Sequence, residues 1–282
     1  MTIIDELINS FSPHIYFHKN EVCYPINIDT YLQKCEIKSK TDLAYIDYPI
    51  DQKELYSHYL KNTKDLYLAL TTCDSDSLRG DPNNAPCYVK VIPVNENKYL
   101  LIYFYFFSHT IPYKACGCCC DLNSYAHQAD MKSIGVLVEK NLNTSVDASA
   151  STFSLSKVYF DAHGSQSGVW KNNNEIKSNG THPVAYSCKG DHSFYYDSGC
   201  HPRIFGVVYD ICAEDTLCTP IPTQVYNNTD TEFNQNTMGA LYFPGDLGPN
   251  GINCASTHSF WTGNYPITSN NWFKRLFCPN YF

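Results

Sequence analysis

The feature that most constrains the fold is an unbroken apolar run, YLLIYFYFF, at residues 99–107. A helix needs about 20 apolar residues to cross a bilayer, so this run is too short to be a membrane span. It has the length of a strand and carries no polar side chain that would face water. The run therefore predicts a strand buried in the core of a β-rich domain.

Other segments fit the same fold, because stretches rich in Tyr, Val, Ile and Phe alternate with turns rich in Asn, Gly and Pro. CYVKVIPV at 87–94 and the apolar run are predicted to form a hairpin closed by NEN. Helices are predicted at 2–11 and 51–62. Further strands are predicted at 66–72, 133–140, 157–164, 183–188, 203–211 and 240–245.

The predicted fold class is all-β, an antiparallel two-sheet β-sandwich with a few short helices. The chain of 282 residues contains no linker, internal repeat or charge block, so it is predicted to be a single domain over residues 1–282.

The charge of the chain disfavours one class of partner. The formal net charge is −8, from 20 Lys+Arg and 28 Asp+Glu, and no basic run occurs. Nucleic-acid binding depends on clustered Lys and Arg, so no nucleic-acid partner is expected. Neither a signal peptide nor a transmembrane segment is expected from the sequence. It predicts a location in the cytoplasm or in a virus particle, with extracellular export by a non-classical route as the alternative.

The 14 cysteines allow three interpretations. Disulfides between the KACGCCCD segment and distant loops would cross-link the domain. A zinc site would use Cys116 and Cys119, which have C-x₂-C spacing but lack a second pair. Reduced thiols in a cytosolic protein are the third interpretation. The disulfide candidates are Cys116, Cys118, Cys119, Cys120, Cys188, Cys200, Cys212 and Cys218.

Five segments occur in order along the chain. Their sequences are PHIYFHKNEVCYP at 13–25, RGDPNNAPCYVKV at 79–91, YLLIYFYFFSH at 99–109, the pair SYAHQADMKSIGVLVEK and VYFDAHGSQSGVW, and THPVAYSCKGDHSFYYDSG at 181–199. Together they resemble the vacuolar protein sorting 62 family, and this resemblance spans residues 13–200 and implies a β-sandwich.

The family's central motif is close to H-x-G-D-W-E. A similar element marks the necrosis- and ethylene-inducing peptide-like toxins, in which acidic residues hold a divalent cation that supports binding to membrane glycolipids. The corresponding positions here are His127, Gln128, Ala129, Asp130, Met131 and Lys132. The resemblance therefore implies a divalent cation as cofactor, but the ammonium of Lys132 replaces a carboxylate and predicts weakened cation binding.

Histidine and aspartate side chains within these segments form a candidate degenerate site, since such groups bind metals or transfer protons. Its members are His127, Asp130, His163, His182, Asp191 and His192. His18 and Glu21 are secondary candidates. The alternative is that these residues only hydrogen-bond the loops that cover the sandwich.

Three functions remain open. The first is a non-enzymatic structural or interaction protein, such as a disulfide-stabilised component of a large virus particle, with other proteins as partners. The second is a toxin-like or lectin-like module that binds membrane lipid or glycan. The third is a hydrolase that uses the His and Asp side chains. The sequence favours a protein that is not an enzyme, because no nucleophile elbow, phosphate loop or zinc-protease helix is present.

Overall fold

The computed structural model is dominated by strands. It describes residues 2–39, 45–46, 50–51, 53, 55, 57, 66–71, 76–110, 113–115, 120–122, 128–141, 152–162, 168–203 and 208–226.

Two short α-helices are described from end to end, and Lys53, Leu55 and Ser57 are also helical. Helix α1 (Ile3–Ser10) begins with a capping box, in which Thr2 Oγ1 accepts a hydrogen bond from the Asp5 N–H at 3.2 Å. Helix α2 (Ile28–Leu32) is capped by the Asn27 side chain. Short 3-10 helices cover Asp76–Leu78 and Asn173–Glu175.

The strands of the described residues are numbered in chain order. They are β1 (His14–Phe17), β2 (Cys35–Ser39), β3 (Tyr45–Ile46), β4 (Leu66–Leu70), β5 (Pro86–Asn95), β6 (Lys98–His109), β7 (Tyr113–Ala115), β8 (Cys120–Leu122), β9 (Gln128–Lys140), β10 (Phe153–Phe160), β11 (Val169–Asn172), β12 (Ser178–Asn179), β13 (His182–Ser187), β14 (Phe194–Tyr195), β15 (Gly199–Arg203), β16 (Val208–Cys212), β17 (Thr216–Cys218) and β18 (Ile221–Tyr226).

The central element is a six-stranded sheet in the order β11-β10-β9-β6-β5-β18. A five-stranded sheet contains β12-β13-β1-β17, with β14 paired to β13. A three-stranded sheet has the order β3-β2-β4, and β15-β16 and β7-β8 form two-stranded ribbons. The described pairs are antiparallel except β1 with β13 and β18 with β5, which are parallel.

Strand β6 explains the apolar run, because both of its faces are buried. Leu101, Tyr103, Tyr105 and Phe107 belong to a core shared with α1 and the five-stranded sheet. The alternate residues Leu100, Ile102, Phe104 and Phe106 belong to a second core shared with α2, β2 and β4. Since successive side chains of a strand point to opposite faces, a strand covered on both sides needs a continuous apolar sequence.

These observations confirm the predicted all-β sandwich and add a second covered face to the central sheet. The hairpin of β5 and β6 is confirmed, as are helix α1 and the strands at 66–70, 133–140, 157–160 and 183–187. Most of the helix predicted at 51–62 and the whole strand predicted at 240–245 lie outside the described residues. The single domain over residues 1–282 stays a prediction.

The segment predicted as one strand at 203–211 divides between two strands. Arg203 ends β15, and β16 begins at Val208 and pairs back with β15. No helix among the described residues is long and apolar enough to cross a membrane.

Candidate functional site

Six ionisable side chains meet where the central sheet faces the loops of the five-stranded sheet. Asp130 and Lys132 are two residues apart on β9 and so lie on one face of the strand. Asp161 follows the last residue of β10. We call the group the charge cluster, and it consists of Glu21, Asp130, Lys132, Asp161, Asp191 and His192.

The turn between β13 and β14 brings His192 into the protein interior. His192 has a left-handed backbone, with φ of 63°, and its N–H donates to the carbonyl of Cys188 at 3.0 Å. This conformation costs a non-glycine residue about 1–2 kcal/mol, so surrounding contacts must hold it. One such contact is Phe107, whose ring lies parallel to the imidazole with centroids 3.9 Å apart.

His192 lies between two carboxylates and is fully buried. Its Nδ1 is 3.2 Å from Asp130 Oδ2, and its Nε2 is 3.7 Å from Glu21 Oε1. Glu21 is itself fixed by backbone donors, because Oε1 accepts from the N–H groups of Val22 and Cys23 and Oε2 accepts from that of Gly190. The carboxylates therefore surround an imidazole that water cannot reach.

The two carboxylates keep His192 charged. Burial lowers the pKa of His192, but the hydrogen bond with Asp130 and the nearby carboxylate of Glu21 outweigh burial and raise that pKa to about 10. Burial raises the pKa of Glu21, yet the opposing effects of His192 and of the Gly190 and Cys23 N–H groups leave it below its usual value. A general base works best with a pKa near the working pH, so His192 is poorly suited to that role.

The shifted pKa of His192 predicts a pH dependence of stability. A group with a raised pKa in the folded state contributes its full stability below its unfolded pKa of about 6.5, and loses it as pH rises through the folded value. Between pH 7 and 8 the free energy of unfolding should therefore fall by about 1.4 kcal/mol per pH unit relative to His192→Asn. Above pH 8 Lys90 acts in the opposite direction, because burial lowers its pKa to about 8. Urea unfolding at several pH values measures this difference.

Asparagine is the suitable replacement because it tolerates a left-handed backbone. The matched control is His18→Asn, since His18 lies outside the charge cluster and is partly exposed. The control should follow the wild-type pH profile. Parallel profiles for wild type and His192→Asn would contradict a charged His192.

Lys132 supplies the second positive charge of the cluster. Its Nζ lies 3.3 Å from Asp130 Oδ1 and 4.0 Å from Asp191 Oδ2, and its side chain is 13% exposed. Burial lowers the pKa of Lys132, but Asp130, Asp191 and Asp161 together outweigh burial and raise it above the usual value. The lysine is therefore held as an ammonium among carboxylates.

Sequence reasoning identified four members of this cluster and missed its surroundings. Asp130, Asp191, His192 and the secondary candidate Glu21 are brought together. Lys132 was expected only to weaken cation binding, and Phe107 was assigned to the core alone. The alternation of charged side chains at 130 and 132 within a buried strand is the signal that indicates a paired lysine.

A buried thiol beside the cluster was also missed. Cys23 Sγ lies 3.5 Å from Ser108 Oγ and 3.9 Å from His109 Nδ1. Burial raises the pKa of Cys23, but the His109 contact and the charge of His192 outweigh burial and lower it below the usual value. Nothing in the local sequence singles out this thiol among the 14 cysteines.

The remaining candidates lie elsewhere. His182 begins β13, whereas the turn with His192 follows the end of that strand, and the His182 ring stacks on His14 at 4.4 Å. His18 accepts a hydrogen bond from the Asn20 N–H at 3.0 Å in the loop after β1. His127 and His163 lie outside the described residues.

The cysteine predictions are covered only in part. Cys188 and Cys212 form a disulfide that joins the end of β13 to β16. Cys200 is an exposed thiol and Cys218 a buried one. Residues 116–119 and the side chain of Cys120 lie outside the described residues, as does the zinc site predicted at Cys116 and Cys119.

A second feature is an open cleft of about 440 Å³ beside the turn at residues 79–86. Asp76, Asp81, Asn27 and Asn84 line it, and Pro25, Pro86 and Ile221 form an apolar wall. Ile221 is 46% exposed although it is a large apolar residue. The volume is that of a small-molecule site, for which about 300–1,000 Å³ is usual.

The polar atoms of the cleft retain bonding capacity. Asp81 Oδ1 accepts from the Asn83 N–H at 2.8 Å, but no described residue hydrogen-bonds its Oδ2. Asn27 Oδ1 accepts from the Asp29 N–H, while its amide nitrogen has no partner among the described residues. The carboxylate of Asp76 likewise has no partner within the described part of the chain. The cleft therefore offers acceptors and donors beside an apolar surface.

Comparison with protein families matches residues 1–206 to the family described as vacuolar protein sorting-associated protein 62. No curated protein matches the chain.

The structure is also similar to those of toxin-like proteins. The non-toxic HaNLP3 protein has a TM-score of 0.42 at 12% identity, with 83% of this chain and 84% of that chain covered. NLPPya in complex with glucosamine has a TM-score of 0.39 at 9% identity, with 87% and 84% covered. The family resemblance expected from the sequence is confirmed by the match over residues 1–206.

Proposed function

Since the family match covers residues 1–206, the chain belongs to the vacuolar protein sorting-associated protein 62 family, and we propose that it is a non-catalytic recognition module that binds glycan in the cleft beside the 79–86 turn. The observation that carries the proposal is the set of cleft side chains, Asp76, Asp81 and Asn27, each of which keeps at least one polar atom without a partner among the described residues.

The cleft chemistry suits hydroxyl and amino groups. Carboxylate oxygens accept hydrogen bonds from sugar hydroxyls, and they accept stronger, charge-assisted ones from an ammonium group. Amides donate to ring and hydroxyl oxygens, while Pro25 and Ile221 can cover the apolar C–H face of a sugar ring. This combination favours a neutral or amine-bearing glycan over an anionic one.

The charge cluster supports a role without catalysis. Its imidazole is fully buried and remains protonated at neutral pH, so it offers no base to a substrate. We infer that the cluster fixes the turn between β13 and β14 against the central sheet. A hydrolase that uses Asp130 and His192 is correspondingly disfavoured.

The cleft proposal predicts loss of binding in Asp76→Asn/Asp81→Asn. Titration calorimetry of the wild type with glucosamine, mannosamine and neutral monosaccharides should show binding to at least one of them. The double variant should bind that sugar with an affinity at least roughly tenfold lower, because a hydrogen bond to a charged group contributes about 1.5–3 kcal/mol. The amide oxygen introduced by Asp81→Asn would still accept the hydrogen bond from the Asn83 N–H that shapes the turn.

The control is Asp197→Asn, which changes an exposed carboxylate outside the cleft. It should bind as the wild type does. Binding that survives the double substitution would place the site elsewhere, and no binding of any sugar at millimolar concentration would refute a glycan ligand of this size. A role in a virus particle, and the location of the protein, stay predictions.

A further inference from the structure

Lys132 lies among three buried carboxylates of the charge cluster. Asp130, Asp161 and Asp191 come from three separate segments, and each is less than 10% exposed. All three act on the ammonium of Lys132. An oxygen of Asp130 lies 3.3 Å from Nζ, and one of Asp191 lies 4.0 Å from it.

Three carboxylates at such a junction repel one another unless a positive charge lies between them. Clustered carboxylate oxygens are the usual ligands of hard divalent cations such as Ca²⁺ and Mg²⁺. Here the positive charge is part of the chain, because Lys132 projects from the same strand as Asp130. A tethered ammonium needs no ion from solution.

The residues present do not fit a divalent cation. The ammonium stands between the carboxylates that would have to coordinate one, and Asp130 Oδ2 is engaged by His192. The part of the chain that the structure describes contains no group of three or more His, Cys, Asp or Glu side chains arranged to hold a metal ion, so the carboxylates of a variant without the ammonium would have to move closer together to coordinate one.

We propose that Lys132 is a built-in substitute for a divalent cation, so that the junction between the central sheet and the β13–β14 turn is stable without metal. Removing the ammonium should leave an acidic site that recruits a divalent cation. This inference concerns the charge cluster and does not depend on glycan binding in the cleft.

The test compares wild type and Lys132→Ala by thermal unfolding in EDTA and in millimolar CaCl₂, MgCl₂ or MnCl₂. The Tm of the wild type should be the same in all conditions. Lys132→Ala should melt well below the wild type in EDTA, and one of the cations should raise its Tm by roughly 5 °C in a saturable manner. Native mass spectrometry should find one bound metal ion in the variant and none in the wild type.

Lys98→Ala is the matched control, because it removes the partly exposed Lys98–Glu139 ion pair at 3.0 Å on the same sheet. It should gain no response to cations, and Lys132→Arg, which keeps the charge, should gain none either. If Lys132→Ala fails to fold in EDTA, refolding with the cation supports the proposal. Failure with and without every cation, an unresponsive folded Lys132→Ala, or a wild type whose Tm falls in EDTA overturns it.

Discussion

Asp130→Ala should be the most destabilising change in the charge cluster, with a loss of about 3–5 kcal/mol, which corresponds to a Tm lower by roughly 10 °C. Asp130 is 7% exposed and contacts both positive groups of the cluster, His192 Nδ1 at 3.2 Å and Lys132 Nζ at 3.3 Å. Its removal leaves two buried cations without their shared partner. Urea unfolding monitored by circular dichroism measures the loss.

The size of the effect depends on the charges that remain. Removing one partner of a buried pair costs far more than the pair contributes, because the other charge stays buried. The double variant Asp130→Ala/His192→Asn should therefore lose less free energy of unfolding than the two single variants lose together, by about 1 kcal/mol or more.

Asp197→Ala is the control for Asp130, since it removes an exposed carboxylate outside the cluster. It should change the free energy of unfolding by less than about 0.5 kcal/mol. Equal, small losses for Asp130→Ala and Asp197→Ala would show that the buried charges do not depend on Asp130.

The central layer of the fold could be predicted from the sequence because its signal is local. Nine consecutive apolar residues of a strand are all buried only when both faces of the sheet are covered, and β6 meets that condition. The covering layers could not be assigned in this way. Short strands such as β2 and β4 carry too few apolar positions to specify which face of which sheet they pack against.

The candidate site was predictable in composition but not in arrangement. Asp130 and Asp191 come from segments 61 positions apart in the chain, and no local pattern states that they face one ammonium. The sequence also does not predict the left-handed backbone that turns His192 inward, because glycine is the residue expected at such a position. Lys132 stands where the family motif has a glutamate, so the sequence indicates a lost ligand and does not show the carboxylates that pair with the lysine.

Gly80→Ala should destabilise the protein by about 2–5 kcal/mol and should also abolish ligand binding in the cleft. Gly80 has φ of +72°, which favours glycine, and an added Cβ would lie 2.5 Å from the carbonyl oxygen of Tyr24 and 2.9 Å from that of Pro25. Backbone oxygens cannot rotate away as a side chain can. The turn at 79–86 would therefore have to move away from residues 24–25, and the Tyr24 N–H to Arg79 carbonyl bond of 2.7 Å would stretch.

Gly180→Ala separates the two causes of this loss. Gly180 has nearly the same backbone, with φ of +65°, but an added Cβ would meet nothing within 4 Å. That variant should lose only the cost of the left-handed backbone, about 1–2 kcal/mol, and should bind sugar as the wild type does. The difference between the two variants therefore measures the contact of Gly80 with the backbone of residues 24–25. Equal losses would mean that the turn can move freely, in which case the cleft has no fixed shape with which to select a ligand.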